Sequence, residues 1–570
     1  MTHVKTAIII FICSLFSSAG SRAQVFPIKE NPFSATPKRE VRAMWLTTIG
    51  GLDWPRTYAT NASTIERQKE ELRNILDDYQ RAGINTVLLQ TRVRATTIYP
   101  SRYEPWDGCV SGQPGRSPGY DPLAFAIDEC HRRGMELHAW VVTIPIGKWT
   151  SAGCSRLRKK YPTMVKKIGV EGYMDPEKSQ TASYLADICQ EIAEGYDVDG
   201  IHLDYIRYPE TWRQKVSKSK GREYITAIVR AISGRVKARK PWVKMSCSPI
   251  GKYDDLPRYP SRGWNARTVV CQDAVAWMNS GLMDALFPMM YFQGDNFYPF
   301  ALDWKQRCGE KIVAPGLGIY FMSPRERDWS ADVITREMAV LRQNGMGHTF
   351  FRSRFFTDDL KGIMSFTAKE FNTFPALPPA MTWVNGNKPT KPENLVVDTA
   401  TMTMTWSKSV ATNDSPDVLY NIYSSTTAPV DINDARNLVL TRINRTSTRI
   451  QIEPRRYYAV TAIDRYGNES LPLQSHQPTA DEQTISLPAG SRMMQCDGKT
   501  LIIPDSNEPI DFNYYVVETM QGNIVKTIPH ATNRINVALL PEGMYQIRTI
   551  GKKGRNHRLG FFIVKRKRNV

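Results

Sequence analysis

Val198-Asp199-Gly200-Ile201-His202-Leu203-Asp204-Tyr205-Ile206-Arg207-Tyr208-Pro209 reads as a short apolar strand that stops on a carboxylate and runs into an aromatic and basic turn. Parallel strands covered on both faces are almost continuously apolar, so polar groups collect at their carboxyl ends, where an α/β barrel keeps its chemistry. Two readings of Asp204 follow from this stretch alone. It is a catalytic carboxylate at the head of a strand, or it pairs with Arg207 or caps a loop.

Working outward, seven more stretches share that character. Strands are expected at 41–48, 86–91, 136–142, 198–203, 243–247, 285–290, 312–317 and 347–351. Between them lie amphipathic helices at 64–82, 122–133, 181–194, 267–280 and 332–344, followed by Gly83, Gly134, Gly195, Gly281 and Gly345, the residue that most cheaply takes the left-handed turn after a helix. Eight strand and helix units over about 330 residues predict a (β/α)8 TIM-type barrel at 40–375. The competing fold is an open doubly wound sheet, which should carry a glycine-rich dinucleotide loop after its first strand; Gly50-Gly51-Leu52-Asp53 does not match.

Flanking segments differ in kind. Lys5, the apolar run 7–16 and Ser21-Arg22-Ala23 have the layout of a secretory signal, placing cleavage after Ala23 and the protein in the periplasm or outside the cell. Residues 24–39 form an N-terminal arm. Beyond a proline-rich linker at 376–388, strands alternate with turns in two further blocks, 389–478 and 480–570, so two C-terminal β-sandwich domains are expected. Trp406 and Tyr457-Tyr458-Ala459-Val460-Thr461-Ala462-Ile463-Asp464 resemble a fibronectin type III module. The last block loosely resembles C-terminal sandwiches of exported bacterial enzymes, with or without a sorting role.

With 41% hydrophobic residues the 570-residue chain can bury large cores. Its formal charge of +19 suits an acidic partner, but nine Lys and Arg and no acid fall within 548–570. No nucleic-acid-binding signature accompanies them, so no nucleic acid partner is expected, and the basic tail reads as a solvated or envelope-facing surface. Apart from Cys13, eight cysteines are scattered without close spacing, and no metal or cofactor is expected. Cys109 and Cys154 fall on loops of one barrel face and are candidates for a disulfide.

Aligning the strand ends converges aromatics, arginines and carboxylates on one face: Trp45, Asp53 and Trp54; Gln90, Arg92 and Glu104; His138 and Trp140; His202, Asp204, Arg207 and Tyr208; Tyr291 and Asp295; Arg352. Sugar rings present CH faces to aromatic rings and hydroxyls to polar groups, and glycoside hydrolysis needs two carboxyl groups. Asp204 is assigned as one. Asp295 is the choice for the acid, by fold-level analogy with barrels that pair fourth-strand and sixth-strand carboxylates, while Asp53, Glu104, Asp254 and Asp255 stay open.

The motifs themselves carry a resemblance. Glu40 to Thr48, Asn85 to Arg94, Tyr120 to Trp140 and Val198 to Pro209 look, in order, like the glycosyl hydrolase-like 10 family, over about residues 38–374. The resemblance implies an exported glycosidase barrel with Asp204 at the family's fourth-strand aspartate. It also implies Trp45, Gln90, Arg92, His138, His202, Tyr208 and Tyr291 at other strand-end positions, and a polysaccharide or peptidoglycan glycan substrate. One branch of the family cleaves peptidoglycan strands stripped of peptides. Many relatives carry a second aspartate where this chain has Tyr205. The alternative function is a non-catalytic glycan-binding or scaffolding protein of the cell envelope.

Overall fold

The computed structural model describes residues 36–565 apart from 260–261, 454, 476–492, 504–511, 521–523, 530–533 and 552–555. The expected signal segment, most of the N-terminal arm and the end of the basic tail lie outside these residues. Two compact units divide at Gln477 and Pro478.

The first unit is built on a parallel sheet. In chain order its strands are β1 (Arg42–Leu46), β2 (Thr86–Arg92) and β3 (Glu136–Val142), then an antiparallel excursion of β4 (Pro145–Lys148), β5 (Val165–Ile168) and β6 (Glu171–Met174). The parallel run resumes with β7 (Gly200–Asp204), β8 (Lys244–Cys247), β9 (Ala285–Leu286), β10 (Ile312–Val313), β11 (Gly316–Leu317) and β12 (His348–Phe350). The nine parallel strands pair in the order β10, β9, β8, β7, β3, β2, β1, β12, β11. The two outermost strands are successive pieces of one segment, 312–317. That segment bonds β9 through Ala314 N to Leu286 O and the β12 side through Thr349 N to Pro315 O, so the sheet curls round on itself.

Strand periodicity puts alternate residues inside and outside the curl. Trp45, Leu88, Trp140, Val142, Phe287 and Ala314 form the inner core, while Met44, Leu46, Val87, Leu89, Leu137, Val141, Ile201 and Leu203 face the helices. Helix Ala62–Arg81 begins at a capping box between Asn61 and Thr64, and lays Leu72, Leu76 and Tyr79 against the sheet. Each of the eight stretches read as strands contains a strand, although 285–290 and 312–317 are paired only in short pieces.

The helices depart more. The expected helix 267–280 is only Ala274–Asn279, and Gly195 is the last residue of helix Ser179–Gly195, with extended Tyr196 as its cap. Helix Lys218–Arg239 was not expected. Gly221 is there for space: a Cβ would sit 2.7 Å from Cys271 Sγ. No described helix is long and apolar enough to cross a membrane.

Two antiparallel sheets complete the first unit. Glu393–Asp398, Thr403–Ser407 and Ser447–Arg449 form one, and Leu419–Ser425, Leu438–Ile443, Tyr457–Ile463 and Leu473–Gln474 the other. They share a core of Met404, Trp406, Tyr420, Ile422, Tyr458 and Val460. The second unit, described by itself, has a two-stranded sheet (Thr500–Ile502, Arg534–Asn536) and a four-stranded sheet (Phe512–Thr519, Ile524–Pro529, Gly543–Gly551, Asn556–Val564) around Leu501, Ile535, Val517, Ile547 and Phe562.

Candidate active site

The inward-facing residues of β3, β7 and β8 stack in layers along the curl. Register pairs His138 with Gly200, Trp140 with His202 and Val142 with Asp204, and across the next seam His202 with Ser246. His138 therefore lies deep, His202 and Trp140 in the middle, and Asp204 at the carboxyl mouth.

Every polar atom of the middle layer is assigned. His202 Nε2 accepts the indole N–H of Trp45 at 3.2 Å, so the proton sits on Nδ1 and is donated to Ser246 Oγ at 3.0 Å. Burial, with His138 nearby, holds this imidazole well below the usual histidine range, and it is neutral. It acts as a rigid polar wedge under the mouth.

Asp204 is gripped by three donors. Oδ1 accepts Ser248 Oγ–H and the backbone N–H of Tyr205, both at 2.8 Å, while Oδ2 accepts the Trp140 indole N–H at 3.1 Å. Tyr205 can donate because its φ of 52° turns the chain sharply back; a bulky residue in this left-handed region marks a strained, over-determined position. Burial pushes the Asp204 carboxyl above its ordinary value, against the pull of Ser248, Arg207, the Tyr205 N–H and Trp140. Oδ1 is saturated, and Oδ2 keeps a lone pair for chemistry.

Aromatic rings surround this carboxyl. Arg207 lies over the Tyr205 ring at 4.5 Å. Tyr291 stacks on Phe351 with centroids 5.3 Å apart and meets Tyr320 edge-on. Burial, Tyr320 and the nearby Asp204 charge all raise the Tyr291 phenol pKa. Tyr205, Tyr291, Tyr320 and Phe351 are all half-buried, so a bound ring can reach them.

Several residues expected to bind substrate are instead committed internally. Trp54 is fully buried and donates to Gln68 O at 2.9 Å, locking its loop to the first helix. Gln90 Oε1 accepts Thr48 N and Ile49 N. Arg92 spends its guanidinium on Glu104, at 2.8 and 2.6 Å, and on the Val142 and Thr143 carbonyls. His138 Nε2 is tied to Glu136 at 3.2 Å. Tyr208 is buried edge-on against Trp212, and Arg352 is paired with Asp53.

Among the described residues the second carboxyl is not marked out by any hydrogen bond to Asp204. Asp295 is exposed on the turn Gly294–Asn296 and does not join the hydrogen bonds around Asp204. Asp53 is buried and holds Thr47, Arg352 and Arg354 N. Glu104 is fixed to Arg92 and Tyr184, Asp254 to Arg267, and Asp255 to Gly263 N. Glu210 binds Arg207 at 2.7 Å, which outweighs burial and lowers its pKa. Among the described residues no second carboxyl is hydrogen-bonded to Asp204, and no cluster of three His, Cys, Asp or Glu has the geometry of a metal site. Cys109 and Cys154, candidates for a disulfide, are both free and buried.

Sequence reasoning missed Ser248, Phe351 and Tyr320. Ser248 was within reach: extending the inward alternation of β8 past Ser246 lands on it.

A family model described as Glycosyl hydrolase-like 10 matches residues 40–224. Glycosyl hydrolase YngK of Bacillus subtilis (strain 168) is 28% identical over 411 residues, covering 64% of this chain and 78% of its own. Glycosyl hydrolase DigH of Escherichia coli (strain K12) is 28% identical over 326 residues, covering 51% and 74%. Among solved structures, the PgaB (BpsB) glycoside hydrolase domain from Bordetella bronchiseptica aligns with a TM-score of 0.39 at 12% identity, covering 58% of this chain and 98% of that one. Over these spans the chain is similar to proteins named glycosyl hydrolases.

Proposed function

We propose that the chain is an exported glycoside hydrolase that cleaves a complex bacterial glycan, with peptidoglycan glycan strands as the first substrate to test. The reading takes the curled sheet as a closed (β/α)8 barrel and the antiparallel sheets as two sandwich domains, the first fibronectin type III-like. One observation carries it: a buried carboxyl at the mouth of a parallel strand, held by three donors and ringed by half-buried aromatics.

In this mechanism a sugar ring stacks on Tyr291 or Tyr205. Asp204, whose contacts are all donors, works as the ionised carboxylate through Oδ2, as nucleophile or as base for water. Trp140, Ser248 and the Tyr205 N–H keep it aimed. Asp295, on the turn after the sixth strand position, is proposed as the acid only if it approaches the leaving oxygen once substrate is bound. Purified protein incubated with denuded glycan strands and a panel of neutral and acidic polysaccharides should release shorter products, and Asp295→Asn should slow leaving-group departure. Asp295→Asn with unchanged turnover on every substrate removes that residue from the mechanism.

That no second carboxyl among the described residues is hydrogen-bonded to Asp204 favours one competing reading, a glycan-binding protein without turnover. It predicts saturable retention on glycan and an unchanged product profile after long incubation.

A further inference from the structure

The face opposite Asp204 holds a cleft of about 670 Å³ between the amino ends of β1 to β3 and the strand Leu438–Ile443. Six arginines line it, Arg81, Arg132, Arg133, Arg442, Arg445 and Arg449, and no carboxylate does. Two of them are spent: Arg442 is buried against Glu136 and Asp199, and Arg133 against Glu129 and Asp77. Arg81 and Arg132 touch acids on their own helices, but with side chains 67% and 65% exposed these pairs hold them weakly. Arg445 and Arg449 are exposed, and among the described residues neither is ion-paired.

The floor adds a second, independent observation. Gly83, Asn372 and Phe374 form part of it, and Arg42 lies directly behind them: its Nη1 donates to Phe374 O and would be 3.2 Å from a Cβ on Gly83. Arg42 is fully buried, and its Nη2 has no hydrogen-bond partner. A buried guanidinium N–H left unpaired beside a cleft of excess positive charge points to an anionic occupant.

We propose that this cleft binds an anionic glycan, a polymer bearing carboxylate or phosphate groups, through Arg445 and Arg449 with Arg81 and Arg132 beside them. The arginines come from three separate segments, so repeated anionic groups engage more of them than a single ion does. Among the described lining residues Phe374 is the only Phe, Tyr or Trp, and single-stranded nucleic acid depends on such stacking platforms. The site would anchor the protein on acidic envelope polymer independently of the reaction at Asp204.

Affinity electrophoresis of the full chain tests this, in gels containing polygalacturonate, a polyglycerol-phosphate teichoic acid, dextran or single-stranded DNA. At least one of the two anionic glycans should retard the protein, dextran should not, and the preferred polymer identifies carboxylate or phosphate as the recognised group. Arg445→Glu with Arg449→Glu should weaken that binding about tenfold or more. Arg445→Lys with Arg449→Lys should keep most of it, and Asp204→Asn all of it. Thermal melting checks that each variant is folded. Binding unchanged in the glutamate pair assigns it elsewhere, such as the basic tail, and overturns the proposal. So does retention of neither anionic glycan, equal retention by dextran, or tighter retention by DNA.

Discussion

Asp204 sits between two opposing forces, burial that raises its pKa and three donors that favour its charged form. As the ionised group in catalysis, it must lose its proton before the enzyme works. Activity therefore falls as pH drops through a value above the ordinary carboxylate range. Ser248→Ala removes a donor to the charged form, so the acid limb of kcat/KM should move to higher pH by about one unit. A limb that stays put or moves down contradicts the assignment. A second buried carboxyl makes the opposite case. Glu337 is 1% exposed with neither oxygen partnered, and burial pushes it well above 4.5. A raised carboxyl favours the fold fully below the unfolded pKa and progressively less as pH rises through the folded one. Glu337→Met should thus raise thermal stability at pH 8, by about 1–3 kcal/mol, and much less at pH 4; an equal gain at both would refute it. At this scale the sequence was readable for Asp204, Trp140, His202 and Tyr291, because alternation and strand ends fix direction. It was silent on whether a side chain's hydrogen bonds were already spent, which is why Trp54, Gln90 and Arg92 looked available.

Between elements, the strongest joint is ionic. Glu136 at the start of β3 binds Lys244 at 2.8 Å and Arg442 at 3.1 Å, and Asp199 binds Arg442 at 2.5 Å, His131 at 2.8 Å and Arg465 at 3.3 Å. Arg442 lies in strand Leu438–Ile443 and Arg465 in the turn after Tyr457–Ile463, so that four-stranded sheet braces the underside of the parallel one. Burial opposes ionisation of Glu136, but Lys244 and Arg442 outweigh it and hold the carboxyl at about 2. Removing one partner strands buried charge, and Arg442→Ala should cost about 3–5 kcal/mol in chemical denaturation. A loss below about 1 kcal/mol would mean the joint is not structural. Most helices and strands of the parallel sheet were legible because their apolar patterns are regular and punctuated by glycine. The excursion β4 to β6 was not: it is short, and Lys166 and Lys167 in β5 are both exposed, leaving no hydrophobic alternation to read. Strands Glu393–Asp398 and Leu438–Ile443 were missed for the same reason, as edges with little buried area.

The whole molecule separates its tasks by position. A curled parallel sheet carries the carboxyl and its aromatic mouth at the strand ends, and the four-stranded sheet that carries Arg442 braces the other end. The parallel sheet with its intervening helices followed from counting units. The pairing of a catalytic acid with Asp204 could not, because loop carboxylates are placed by tertiary hydrogen bonds rather than by spacing. The central claim is that Asp204 turns over glycan, and the direct measurement is product release from denuded glycan strands and the polysaccharide panel by wild type and Asp204→Asn side by side. Wild type should release shortened saccharides and Asp204→Asn should lose about a thousandfold or more of that rate while staying folded. Equal release by the two proteins, or none by wild type from any glycan, would contradict it.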